Sequence, residues 1–222
     1  MNIAIIPARS GSKRIINKNI KIFNGKPIIY YAIKNAISSK LFEKIYVTTD
    51  SYKIKKIAEK YGAEVPYLRE KKLSNDRVPI NEVIKAFLKK IDKYKISIVC
   101  CIFPCSPFVK PLDLRKAYNQ LLKNNSGFVF SALRYTHPIQ RSFKLVNKKI
   151  IINNYKYLNK RTQDLEINYH DAGQFYFGYR NFWEKNNNVF KNGNIYELPK
   201  HQVLDIDDIE DWNFAKKIYS LK

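Results

Sequence analysis

Short runs of unbroken apolar residues alternate with longer segments of helical period through the first 133 positions, and this alternation constrains the fold more than any other feature. Residues 3–6 (IAII), 45–49 (IYVTT), 96–103 (ISIVCCIF) and 127–133 (GFVFSAL) read as strands. Residues 27–39, 51–61, 78–90 and 112–123 read as the helices between them. In the first helix Pro27 suits the opening position, and Ile28, Tyr31, Ala32 and Ala36 share a face. The second is stopped by Gly62, with a brief extended piece at 64–67. Strands without polar alternation are buried on both faces, which predicts an α/β fold with a parallel sheet covered by helices on each side. A chain of 222 residues can bury such a core as one domain, 1–222.

From about Tyr135 to Asn168 the rhythm breaks into short extended pieces, turns and polar clusters. This predicts a β-rich excursion over 135–168, a candidate dimerisation arm. The main sheet resumes with a strand at 173–179, and a helix at 207–219 closes the chain. Neither an internal repeat nor a low-complexity linker interrupts it.

The formal net charge of +22 raises the question of a nucleic-acid or membrane-surface partner. The basic residues are spread along the whole chain, however, and no aromatic-interleaved basic stripe stands out. A lysine-rich solvated surface explains them, and the excess also attracts an anionic nucleotide. The longest apolar run, 96–105, is half of the ~20 residues a membrane helix needs. Residues 2–7 already read as a strand, so no export leader is expected. Cys100, Cys101 and Cys105 lack zinc-site spacing and read as small apolar side chains in a reduced cytoplasm.

In an open α/β sheet, ligands bind beyond the carboxyl ends of the strands. Residues 7–14 (PARSGSKR) follow the first strand and are followed in turn by Lys18 and Asn19. Gly11 with Ser10 and Ser12 lets backbone amides approach phosphate oxygens, while Arg9, Lys13, Arg14 and Lys18 gather positive charge. The stretch is neither G-x-G-x-x-G nor G-x-x-x-x-G-K-[ST], so dinucleotide and ordinary P-loop readings fail. Spacing alone leaves a generic basic loop open beside a phosphate cradle; the position after the first strand favours the cradle.

Residues 6–14 (IPARSGSKR) with Lys18 and Asn19 resemble the signature of the acylneuraminate cytidylyltransferases. The family's usual form has glycine where Ser10 stands and proline where Ile16 stands. The resemblance implies a three-layer α/β/α Rossmann-like fold of the nucleotide-diphospho-sugar transferase kind. It implies that Arg9, Ser12, Lys13, Lys18 and Asn19, with Ser10 and Gly11 in the same loop, surround the triphosphate of CTP. Arg69 and Asp76 match residues near the nucleoside, although an exposed arginine in a polar loop is open from the residues alone. The turn at 103–107 (FPCSP) is similar to the family's, with Phe103 in place of a common glutamine and Cys105 in place of threonine.

Asp205 and Asp207, two residues apart in an extended segment, point to one side and suit a hard cation such as magnesium. Asp207 and Glu210 also form a capping-box pattern for the last helix, whose stripe is Trp212, Ala215, Ile218 and Tyr219. The resemblance favours the metal, because a matching aspartate pair binds magnesium in that family.

Residues 159–166 and 169–176 resemble segments of the family's pseudaminic acid branch. Gln163, Asp171, Gln174 and Tyr176 are therefore the sugar-side candidates; His170 reads equally well as a satisfied core residue. The implied reaction transfers CMP from CTP to a nonulosonic acid, pseudaminic acid within that branch, releasing pyrophosphate for a bacterial surface or flagellin glycan. Lys13, Lys18 and Asp207 are the catalytic candidates, Mg2+ the cofactor and a homodimer the assembly. The same reaction on N-acetylneuraminic or legionaminic acid, a non-catalytic CTP binder and a basic nucleic-acid-binding domain are the alternatives.

Overall fold

The computed structural model describes residues 1–91, 95–124, 126–185, 188–191 and 193–221. The apolar runs supply four strands of a six-stranded sheet. β1 (Asn2–Pro7) lies between β4 (Lys44–Thr48) and β5 (Ile98–Ile102), parallel to both. Ile3, Ala4, Ile5 and Ile6 are wholly buried, as a strand covered on both faces requires. Two further strand pairs are short or separate: β2 (Ile22–Phe23) with β3 (Lys26–Pro27), and β7 (Phe143–Val146) with β8 (Lys149–Ile152).

The large sheet is mixed, not parallel. β9 (Tyr169–Tyr179) runs antiparallel between β5 and β6 (Phe128–Arg134), and β10 (Gly193–Glu197) lies parallel to β6 at the edge. The direction follows from the connection. β6 ends where the 135–168 segment begins, and the Tyr135 N–H donates to the Asn168 carbonyl at 2.9 Å, closing that segment's base. The chain therefore turns straight back as an enlarged hairpin, which needs antiparallel neighbours, whereas a parallel return needs a crossover. Within 135–168, β7 and β8 pair through a turn in which Asn147 and Lys148 have φ of 50° and 63°, the geometry of a tight hairpin. Phe143, Leu145 and Ile150 on this hairpin are 62, 70 and 63% exposed.

Helices cover both faces. α1 (Ile28–Ser39), α2 (Tyr52–Lys60) and α4 (Pro111–Asn124) bury Ile33, Ala58 and Leu121 in the core on one side. α3 (Ile80–Lys90) and α5 (Arg180–Lys185) bury Phe87 and Trp183 on the other, and the Trp183 indole donates to the Val99 carbonyl at 3.2 Å. α6 (Ile209–Ser220) lays Trp212 and Ala215 in a third cluster with Phe23, Tyr31 and Phe108, flanked by Ile218 and Tyr219. No helix among the described residues is long and apolar enough to cross a membrane.

Two helix starts differ from the sequence expectation. Pro27 flanks α1 from outside and pairs in β3 instead of opening the helix. The last helix is capped by Asp208, not Asp207: the Asp208 carboxylate accepts from the Glu210 and Asp211 N–H groups, and Asp211 completes the capping box. Asp207 and Asp208 each have an acidic residue three places on, so the pattern alone does not fix the register. The shift leaves the Asp207 side chain outside the cap.

Candidate active site

β1, β4 and β5 end at one edge of the sheet, and a cleft of about 340 Å³ opens beyond them. Arg9, Ser12, Lys18, Asn19, Arg69, Asp76, Gln174 and Asp205 line it together, with Phe103 and Cys105. A wider groove bordered by Gly11, Lys13 and Asp76 adjoins it. This is the carboxyl edge, where α/β sheets place ligands.

The loop after β1 is built by a few polar contacts. Asn17 takes a left-handed φ of 55°, a conformation asparagine tolerates, and turns the chain into a short 3₁₀ helix at Lys18–Ile20. That turn buries Asn19, whose amide donates to the Arg9 carbonyl at 2.8 Å. Its carbonyl oxygen accepts the Cys105 thiol at 3.4 Å, linking the loop to the turn after β5. Ser10 is not among the residues with positive φ, so the backbone here is one that serine adopts without strain. Its N–H and hydroxyl both donate to the Asp50 carboxylate, at 2.8 and 2.7 Å.

Arg69 enters through the strand-like segment beside β4. Glu64 and Leu68 bridge Tyr46 and Thr49, and the Arg69 N–H donates to the Thr49 carbonyl at 2.7 Å. The guanidinium is buried, with Nε donating to the Ser74 hydroxyl at 3.0 Å. Burial first, then the neighbouring Arg9 charge, pushes its pKa down, while Asp50 holds it up.

The loop's cations face carboxylates. Asp76 pairs with Arg9, and with Lys13 at 3.0 Å. Arg14 holds Asp207 through both guanidinium nitrogens at 2.8 Å. Asp205 lines the cleft nearby, and burial, followed by the Asp207 charge, raises its pKa. A cation between two mutually repelling carboxylates relieves that repulsion, so the donor set fits a hard divalent ion. No group of three or more metal-ligating side chains is present among the described residues, so phosphate oxygens and water would complete the ion's shell.

A bulge brings in Gln174. The register between β6 and β9 shifts at Phe130 and Ala132, Gly173 takes φ of 58°, and the Ser131 hydroxyl accepts the Gln174 and Phe175 N–H groups at 3.1 Å. Asp171 and Tyr176 do not line the cleft. The Tyr176 hydroxyl donates to the Asp171 carboxylate, and burial, then Asp171, drives the phenol's pKa up. Asp171 instead borders a neighbouring hollow with Phe130, Tyr169 and Phe190, while Phe103 packs edge-on to Tyr176 between the two spaces. Gln163 is exposed in the 135–168 segment and away from the cleft of this chain. His170 is exposed rather than a core residue, because β9 at that point has left the covered part of the sheet. Asp50 was not among the sequence candidates; its signal was its place at the end of β4, on the same carboxyl edge.

A cleft lined by Arg9, Lys18, Arg69 and Asp205, set beyond the strand ends of a mixed α/β sheet, is built to take an anionic nucleotide. The chain belongs to the Cytidylyltransferase family, whose family model matches residues 3–220. It is 39% identical, over 99% of its length and 97% of the relative's, to a pseudaminic acid cytidylyltransferase of Campylobacter jejuni subsp. jejuni serotype O:2. It is 29% identical, over 99 and 96% of the two chains, to a CMP-N,N'-diacetyllegionaminic acid synthase of Legionella pneumophila. The fold is similar to a solved CMP:2-keto-3-deoxy-manno-octonic acid synthetase complexed with CTP, with a TM-score of 0.74 at 13% identity over 99 and 98% of the chains.

Proposed function

We propose that this chain joins CMP from CTP to the anomeric hydroxyl of pseudaminic acid and releases pyrophosphate. The observation that carries the reading is that Arg9, Ser12, Lys18, Arg69 and Asp205 line one cleft, with Asp207 held by Arg14 two residues beyond Asp205. The choice of sugar is supported by the likeness to the C. jejuni enzyme over nearly the whole of both chains.

The sugar hydroxyl attacks the α-phosphorus in line. Its oxygen–phosphorus bond forms, the bond to the pyrophosphate oxygen breaks, and the hydroxyl proton is released with the products. Arg9, Lys13, Lys18, the Gly11 amide and the Ser12 hydroxyl hold the triphosphate and offset charge growing on the leaving group, the Ser10 amide being taken by Asp50. Asn19 fixes the Arg9 carbonyl, so the loop is set before substrate arrives. Asp205 and Asp207 would hold magnesium with phosphate oxygens and water, and the bound ion adds charge neutralisation at the leaving pyrophosphate. Asp76 then gives up Arg9 and Lys13, and Arg14 gives up Asp207. Arg69 and Asp76 lie on the nucleoside side. Gln174 meets the sugar at the cleft, and the Asp171–Tyr176 pair stands behind Phe103, which lines it.

The exposed apolar face of the β7–β8 hairpin supports a homodimer in which the 135–168 segment is the dimerisation arm, with Gln163 reaching beyond its own chain. Three free cysteines agree with a cytoplasmic setting. The same reaction on legionaminic acid is the second reading, favoured by the full-length L. pneumophila relative.

The test is pyrophosphate release from CTP and Mg2+ with pseudaminic, legionaminic and N-acetylneuraminic acids in parallel. Release with pseudaminic acid, lost in Asp207→Ala, supports both sugar and metal roles. Release with another sugar alone moves the assignment, and no release with any refutes it.

A further inference from the structure

Asp50 stands apart from every group given a role above, yet it touches the loop that those roles depend on. Its backbone is fixed on both sides. Thr49 before it accepts the Arg69 N–H at 2.7 Å, and Ser51 after it caps α2 by accepting the Ile54 N–H at 3.4 Å. From this rigid corner its two carboxylate oxygens take two donors of one residue, the Ser10 N–H at 2.8 Å and the Ser10 hydroxyl at 2.7 Å. Charge-assisted bonds of this length are the stronger class, and two of them fix both the position and the rotation of Ser10. Ser10 lies between Arg9 and Gly11, so whatever sets its orientation also sets the path of the amides and cations on either side. The corner also carries Arg69: Asp50 is the negative charge that offsets the burial of that guanidinium and the repulsion from Arg9. One carboxylate thus bonds to the 9–13 loop and lends its charge to the Arg69 side of the cleft.

We infer that Asp50 is a positioning residue for the triphosphate, acting through Ser10 to hold the 9–13 loop in its binding conformation. It does not touch the nucleotide in this account. Charge alone would give the opposite outcome. A carboxylate beside a phosphate site repels the phosphate, so removing it should tighten CTP if Coulomb repulsion were its main effect. If Asp50 organises the loop, removing it weakens CTP in spite of the charge gained. Serine in place of glycine fits this role, since only a side chain at position 10 can offer the second bond. The inference rests on CTP being the loop's ligand.

The experiment measures CTP affinity by calorimetry, with Mg2+ present, for the full chain and for Asp50→Ala, Asp50→Asn, Ser10→Ala and the Asp50→Ala/Ser10→Ala double variant. Steady-state KM and kcat are measured alongside. Asp50→Ala is expected to weaken CTP about tenfold, the scale of one net hydrogen bond, because the loop loses its preset conformation but no contact to the nucleotide. Asp50→Asn keeps one acceptor and should fall between Ala and wild type, and its near-isosteric side chain guards against a folding defect in Asp50→Ala. KM for the sugar should stay within about twofold, because the loop faces the nucleotide. The double variant should lose less than the product of the single losses, since both act on one contact. CTP binding by Asp50→Ala as tight as wild type or tighter, or independent multiplication of the two losses, would overturn the inference. A wild-type chain that binds no CTP would overturn the proposed function as well, a result distinct from any difference among the variants.

Discussion

Asn19→Ala tests whether the cleft is held together by the contacts described. The side chain is 6% exposed and donates to the Arg9 carbonyl at 2.8 Å, while its oxygen takes the Cys105 thiol at 3.4 Å. Truncation removes the first bond and leaves a partly buried carbonyl without that donor, a cost of about 1–3 kcal/mol. The thiol contact is weak and adds little. For a domain of this size each kcal/mol moves Tm by about 2–4 °C, so a loss near 2 kcal/mol lowers Tm by roughly 4–8 °C. A freed Arg9 carbonyl also loosens the loop, so the Kd for CTP rises by several-fold while the far-ultraviolet circular dichroism is unchanged. Thermal unfolding and calorimetry on the same samples read both effects. An Asn19→Ala variant with Tm within 1 °C of wild type and unchanged CTP affinity would refute the reasoning; a Tm loss with full affinity would confine Asn19 to stability.

Other outcomes follow from the same contacts. Lys90 first, then Lys72, holds the Glu70 carboxyl down to about 2 from an ordinary 4.5. Because the folded value is depressed, the stabilisation is complete above pH 4.5 and is lost as the pH falls through about 2. Glu70→Gln should flatten the acid limb of the stability curve in that window, and the difference should shrink in high salt; an unchanged limb would contradict it. Burial raises the Cys100 and Cys101 thiols, so both should resist iodoacetamide at pH 8 until the chain is unfolded, whereas Cys105, half-buried on the cleft wall with its thiol pushed up to about 12, should label slowly. Rapid labelling of native protein would show that the turn after β5 opens. Paired Leu145→Lys and Ile150→Lys substitutions on the β7–β8 hairpin should halve the mass seen by sedimentation, since each apolar side chain contributes about 1.5–3 kcal/mol when buried. A wild-type chain that sediments as a monomer would remove the arm from the account.

The repeating strands and helices of the first half were legible because burial on both faces leaves an unmistakable apolar run at Ile3–Ile6 and Ile98–Ile102. Strand direction was not, because such a run reads the same in either sense. Only the direct hairpin return from β6 to β9 makes the sheet mixed. β10 escaped notice since its residues are mostly half-buried at an edge and lack an apolar run. At the site, the loop around Arg9 and Gly11 could be found from its place after β1. Asp50 offered only its place just past β4, because its meaning lies in a contact to Ser10 on the neighbouring loop. The cap of the last helix was displaced by one residue, and that displacement frees Asp207 for Arg14. Asp171 and Tyr176 were offered as sugar-side candidates by the likeness of 169–176 to the pseudaminic acid branch, and in the fold they hydrogen-bond to one another outside the cleft.

The most direct test of the central claim is a crystal structure of this chain with CTP and Mg2+. The account predicts the triphosphate along the 9–13 loop and Lys18, the metal between Asp205 and Asp207, and Asp76 and Arg14 released from their present partners. A triphosphate bound elsewhere, or one that leaves the Arg9–Asp76 and Arg14–Asp207 pairs intact, would contradict it.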